Sequence, residues 1–142
     1  MKSIHILLVE DNEGDIFLTT EALEESKIIN RISVAKDGQE ALDFVFRKKE
    51  FVDASRPDLI LLDVNLPKKS GHEVLIEIKN HPEFKKIPII MLTTSSSQRD
   101  IELSYENHAN CYITKPVEVE DFLEAVNSIE HFWINIVSLP NC

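Results

Sequence analysis

The stretch LILLDVNLPKKSG, from Leu59 to Gly71, constrains this chain more than any other. Leu59, Ile60, Leu61 and Leu62 run together without a polar break and stop on a carboxylate, Asp63. An unbroken aliphatic run of this length reads as a strand buried on both faces, as in parallel sheets covered by helices on each side. Asn65, Leu66, Pro67 and Gly71 then turn the chain at once. Asp63 is thereby left at the carboxyl end of a central strand, the edge at which open α/β sheets bind ligands.

The same device recurs along the chain. Ile4 and Ile6 to Val9 form an apolar run that ends on Glu10 and Asp11, and Pro88 to Leu92 end on Thr93 and Thr94. Cys111, Tyr112 and Ile113 end on Thr114, Lys115 and Pro116, while Ile32 to Ala35 make a shorter strand. Between these runs the apolar residues follow a helical period. Ile16, Phe17, Thr20, Leu23 and Ile28 predict a first helix to about Ser26, capped by Asp11 or Asn12. Ala41, Leu42, Val45 and Phe46 predict a second, after a turn at Asp37 and Gly38. Val74, Leu75 and Ile78, with Ile76 as a further candidate, predict a third that stops near His81 and Pro82, since proline lacks the N–H a helix needs. Ser95 to Gln98 lead into a weak fourth helix with Ile101, Leu103 and Tyr105. A fifth starts near Val119, carries Phe122, Leu123, Val126 and Ile129, and is drawn on to about Val137. Lys48 to Arg56 reads as a surface loop.

Five strands alternating with five helices, without hairpin turns, predict parallel pairing through right-handed crossovers. The expected fold is a doubly wound five-stranded α/β sheet, flavodoxin-like in order (2-1-3-4-5). At 142 residues the chain suits one domain over 1–142, with a core over about 4–131 and a C-terminal extension over about 132–142.

Composition then excludes several functions. A net charge of -10 argues against binding nucleic acid, which needs Lys and Arg to neutralise phosphates. Gly14, Gly38 and Gly71 are too scattered for a phosphate-cradling loop. The first eight residues lead straight into acids, so no signal peptide is expected, and nowhere do about 18 apolar residues run together to span a membrane. Cys111 and Cys142 make no disulfide framework, so the cytoplasm is the default compartment. His5, His72, His81, His108 and His131 lack metal-ligand spacing and read as structural or surface residues, and Cys111 as a small core residue.

Parallel strands bring their ends to one edge. There Glu10, Asp11 and Asp63 repel one another unless a cation sits among them, and an all-oxygen set of this kind suits Mg²⁺. Asp63 attacking phosphorus, with the metal and Lys115 offsetting charge and Thr93 donating a hydroxyl, makes a coherent phosphoryl-transfer site. Each residue also has a plainer reading: helix caps for Glu10 and Asp11, a turn for Asp63, a solvated loop lysine for Lys115, a strand residue for Thr93. Four separate strand ends supplying the right residue favours the chemical reading.

The motifs VEDN (Val9 to Asn12), LILLDVNLPKKSG, IIMLTTS (Ile89 to Ser95) and YITKP (Tyr112 to Pro116) resemble those of the receiver domain of two-component response regulators, a CheY-like family, over nearly the whole chain. The resemblance implies phosphorylation of Asp63 by a sensor histidine kinase, Mg²⁺ held by Glu10, Asp11, Asp63 and the Asn65 backbone carbonyl, and phosphoryl contacts from Thr93 and Lys115. It also implies that Tyr112 is a switch aromatic, that Lys115-Pro116 is cis, and that output passes through the face of helix four, strand five and helix five. More narrowly, SYENHANCYITKPV and IEHFWINIVSLP are similar to small single-domain receivers partnered with cyanobacterial phytochrome kinases. Leu66 stands where many receivers have methionine, and Ser70 where an acid is common; neither touches the proposed chemistry. No DNA-binding domain is expected. Phe132, Trp133 and Ile136 lie in a stretch more apolar than one helix face needs, and the resemblance favours a homodimer through it. Two rivals are an adaptor whose pocket is vestigial and an aspartyl phosphatase, although the second acid such a phosphatase needs two residues on is here Asn65.

Overall fold

The structure, a computed structural model, describes residues 4–26, 31–94 and 98–128. Its elements alternate: β1 (His5–Val9), α1 (Glu13–Glu25), β2 (Arg31–Ala35), α2 (Gly38–Val45), a 3₁₀ turn (Lys49–Phe51), β3 (Leu59–Asp63), α3 (Gly71–Lys79), β4 (Ile89–Thr93), α4 (Gln98–Glu106), β5 (Cys111–Thr114) and α5 (Val119–Ser128). The strands are parallel in the order β2-β1-β3-β4-β5, so the chain reverses direction across the sheet after β2 and leaves a switch point between β1 and β3.

Every residue of β1, β3 and β4 is buried, and alternate side chains point to opposite faces. One face, with Leu7, Val9, Ile60, Leu62 and Met91, packs against Leu42 and Val45 of α2 and Val74, Leu75 and Ile78 of α3. The other, with Ile6, Leu8, Leu61, Ile90 and Leu92, packs against Leu23 of α1 and Phe122 and Val126 of α5. That double cover is why the central strands are aliphatic between their ends, the one polar residue before those ends being His5 at the start of β1, paired with Ser33 Oγ at 2.8 Å.

Three of the helices start on side-chain caps. Asn12 caps α1, accepting from the N–H of Asp15 at 2.9 Å, and Asp37 caps α2, accepting from Glu40 at 2.7 Å. Ser70 and Glu73 form a reciprocal capping box at α3. Asp37 and Gly38 are thus a cap and a first helical residue rather than a free-standing turn. Gly38 is required by a close approach: a Cβ there would lie 2.1 Å from the carbonyl oxygen of Lys69.

Several core expectations need correcting. Phe17 is 61% exposed and Ile76 39% exposed. The face of α1 that enters the core is built from Thr19, Ala22 and Leu23, with Ile16 at its margin. Phe46 follows the end of α2, where it stacks on His81 and meets Phe84 at a tilt. The Lys48–Arg56 loop folds its Phe51 back onto Phe44, with ring centroids 5.3 Å apart. Cys111 is only partly buried, at the edge of the second cluster. Ile28, Ser95 and Ile129 lie outside the described residues, as does the extension with Phe132, Trp133 and Ile136.

Candidate functional site

The register carries the strand ends to one place. Val9 pairs with Leu62 and Asp63 with Leu92, so Glu10 and Asp11 follow β1 beside the end of β3. Thr93 pairs with Thr114, and the N–H of Lys115 donates to the carbonyl of Thr93 at 2.7 Å, which fixes the start of the Lys115 side chain next to β4. The Lys115-Pro116 peptide is cis. Gly71 closes the floor: its N–H donates to the carbonyl of Val64 at 2.9 Å, and a Cβ there would lie 2.1 Å from the carbonyl oxygen of Asp63.

Four of the expected residues converge. Glu10, Asp11 and Asp63 each offer a carboxylate oxygen, all within 4.8 Å of one another. Glu10 and Asp63 are buried and Asp11 is exposed, so the cluster opens to solvent on the Asp11 side. The ammonium of Lys115, only 7% exposed, donates to Asp63 Oδ2 at 3.0 Å and sits 2.5 Å from Glu10 Oε1. The Glu10 contact is a close ion pair between two buried side chains. The other Glu10 oxygen accepts from the N–H of Asn12 at 3.2 Å.

The charges respond to this crowding. Burial lifts the Glu10 carboxyl above its usual range and the Asp63 charge adds to the effect, while Lys115 and the Asn12 N–H pull the other way. Burial by itself would lower the Lys115 ammonium, but its bonds to Glu10, Asp63 and Asp15 outweigh that and hold it above the ordinary lysine value.

Thr93 is buried at the end of β4, and Asn65 is exposed two residues past Asp63, its N–H donating to Asp63 Oδ1 at 3.3 Å. Tyr112 lies outside the carboxylate cluster. Half-buried on β5, it meets Tyr105 of α4 edge to face with centroids 6.0 Å apart.

Sequence reading missed Asp15. This residue of the first turn of α1 accepts a hydrogen bond from the Lys115 ammonium at 3.1 Å, across 100 positions of sequence. No local pattern marks it, because the contact exists only once α1 packs beside α5 on one face of the sheet.

Three hard oxygen donors within 4.8 Å of one another, two of them on buried acids, fit a small divalent cation. The cluster as a whole offers a carboxylate at a strand end, a cation site beside it and a fixed ammonium.

Comparison with known proteins agrees with this geometry. The response regulator receiver domain model matches residues 6–127. Response regulator Rcp1 of Synechocystis sp. is 47% identical over 135 residues, covering 95% of this chain and 92% of that protein. The phosphorylated cyanobacterial phytochrome response regulator RcpA matches at 47% identity and a TM-score of 0.78, over 94% of this chain and 95% of that one. The Mn²⁺-bound form of response regulator Rcp1 matches at 46% identity and a TM-score of 0.77, over 96% and 99%. This chain therefore belongs to the response regulator receiver family of two-component signalling and is homologous along almost its whole length to the cyanobacterial phytochrome response regulators.

Proposed function

We propose that Asp63 accepts a phosphoryl group from the phosphohistidine of a sensor histidine kinase, a phytochrome by analogy with the relatives, in the cytoplasm. The carrying observation is the buried Asp63 carboxylate held between Lys115 at 3.0 Å and the acids Glu10 and Asp11. Glu10, Asp11, Asp63 and the backbone carbonyl of Asn65 would hold the metal, which we read as Mg²⁺. When bound, it neutralises charge on the transferring phosphoryl oxygens. Asp63 supplies the attacking oxygen, and its burial keeps competing water away. Lys115 pairs with a phosphoryl oxygen as a compact point charge. Thr93 donates its hydroxyl to another.

In this reading Thr93 and Tyr112 form the switch. Thr93 is drawn toward the phosphoryl group, and Tyr112, in contact with Tyr105, passes the change to the face of α4, β5 and α5. The chain over 1–142 forms one receiver domain with no turnover substrate, and it dimerises through the region of Phe132, Trp133 and Ile136. The family match over 6–127 supports the domain reading.

The test is an intact mass after incubation with Mg²⁺ and a small phosphodonor such as acetyl phosphate. One phosphoryl mass is expected in the native chain and none in Asp63→Asn. An undiminished gain in that variant removes Asp63 from the role.

A further inference from the structure

Resting on the phosphoryl-acceptor reading above, one contact in the pocket has no place in that mechanism. Of the three carboxylates on the Lys115 ammonium, Glu10 and Asp63 are taken up by the metal and the phosphoryl group. Asp15 is used by neither. Yet it accepts one of the ammonium's hydrogen bonds at 3.1 Å, as good a bond as the 3.0 Å one to Asp63.

Its placement follows from the helix cap. The N–H of Asp15 is tied to Asn12 Oδ1 at 2.9 Å, and side chains of a first helical turn lean back toward the helix start. That start is the loop leaving β1 beside the end of β3, where the Lys115 side chain arrives from beyond β5. The Asp15 side chain is 36% exposed, against 7% for Lys115 and 3% for Asp63. It stands at the mouth of the pocket with the ammonium directly behind it.

We propose that Asp15 is a specificity-determining residue of the pocket: its carboxylate competes with the incoming phosphoryl group for Lys115 and slows acceptance from small anionic donors. Two effects act in the same direction. The Asp15 carboxylate draws the ammonium toward itself and offsets part of its charge, which weakens its pull on an incoming phosphoryl oxygen. The Asp15 charge also lies, through the shared nitrogen, no more than about 6 Å from Asp63, where one like charge in a water-like dielectric slows the approach of another about threefold or more. Lys115 keeps its place without Asp15, since its backbone N–H is tied to the Thr93 carbonyl at 2.7 Å and burial confines its side chain. A donor protein that brings its own cation to the Asp15 carboxylate escapes this brake; a free acyl phosphate does not.

The step itself is a simple displacement. With acetyl phosphate, an Asp63 carboxylate oxygen bonds to phosphorus as the phosphorus–oxygen bond to the acetyl group breaks. The electron pair leaves on acetate, and no proton or redox partner is needed.

The experiment measures the second-order rate of phosphoryl gain from acetyl phosphate, at saturating Mg²⁺ and at low and high salt. It compares the native chain with Asp15→Asn, Asp15→Ala and Asp15→Glu, each first checked for a native circular-dichroism spectrum. A rise of about threefold or more in Asp15→Asn and Asp15→Ala is expected, shrinking at high salt as the charges are screened, with Asp15→Glu staying slow. A merely structural Asp15 would give no salt-dependent ratio. Rates at or below native, or a gain that salt leaves unchanged, overturn the assignment of Asp15 while the pocket reading stands. A native chain that takes up no phosphoryl group overturns the pocket reading itself.

Discussion

Replacing Lys115 with methionine removes the only cation touching Glu10 and Asp63 among the described contacts and keeps much of the side-chain volume. The two acids are 1% and 3% exposed, so water cannot take the place of the ammonium. Breaking a buried ion pair from one side costs about 3–5 kcal/mol, because the remaining charge is left uncompensated. Asp15, one third exposed, is left out of that figure. For a domain of this size each kcal/mol moves the melting temperature about 4 °C, so Lys115→Met should melt about 12–20 °C lower in a chelator such as EDTA. A divalent cation reverses part of this. It no longer competes with the ammonium for Glu10 and Asp63, and a ligand at about 100 times its Kd adds about 2.7 kcal/mol. Thermal unfolding in EDTA and in millimolar Mg²⁺ tests both halves. Lys68→Met is the control, since Lys68 is an exposed partner of Asp37 at 3.5 Å, worth about 0–1 kcal/mol. If Lys115→Met melts within about 2 °C of the native chain in EDTA, or gains no more from Mg²⁺ than the native chain does, the electrostatic account of the pocket is wrong.

Two further predictions concern the frame around the site. Gly71→Ala sets a methyl group against the Asp63 carbonyl and the Cα of Val64, both backbone atoms that can move only by shifting the acceptor. It should destabilise the fold by at least about 1–3 kcal/mol in urea unfolding and slow phosphoryl uptake, whereas native behaviour in both assays would contradict the close approach. Lys79 donates to the carbonyls of Ile87 at 2.8 Å and Lys85 at 3.1 Å, and burial lowers its pKa to about 8. The unfolded chain then holds more protons than the folded one between about pH 8 and the unperturbed lysine value, so folded stability rises with pH through that window. The native chain should therefore gain on Lys79→Met between pH 7 and pH 10 in paired urea titrations; parallel profiles would refute it.

What could be read in the sequence was whatever a strand or cap needs locally. The runs Ile6 to Val9, Leu59 to Leu62 and Ile89 to Leu92 are legible because helices cover both faces of those strands, and their ends are legible because polarity returns there abruptly. Once parallel order was inferred, Glu10, Asp11, Asp63 and Lys115 had to share an edge. Phe17 and Ile76 misled because helical period alone does not say which side of an apolar pair faces the sheet. Gly38 and Gly71 read as turn residues, but both are needed where a helix start presses on backbone 31 and 8 positions away, respectively. Asp15 was invisible for the same reason: its partner lies 100 positions on.

The central claim is that one carboxylate of this chain becomes an acyl phosphate. After phosphorylation by a small donor in Mg²⁺, borohydride reduction converts an aspartyl phosphate to homoserine, which fragment mass spectrometry can place. The account predicts homoserine at position 63 and nowhere else. Modification at another acid of the pocket, or none with native protein and metal present, would contradict it.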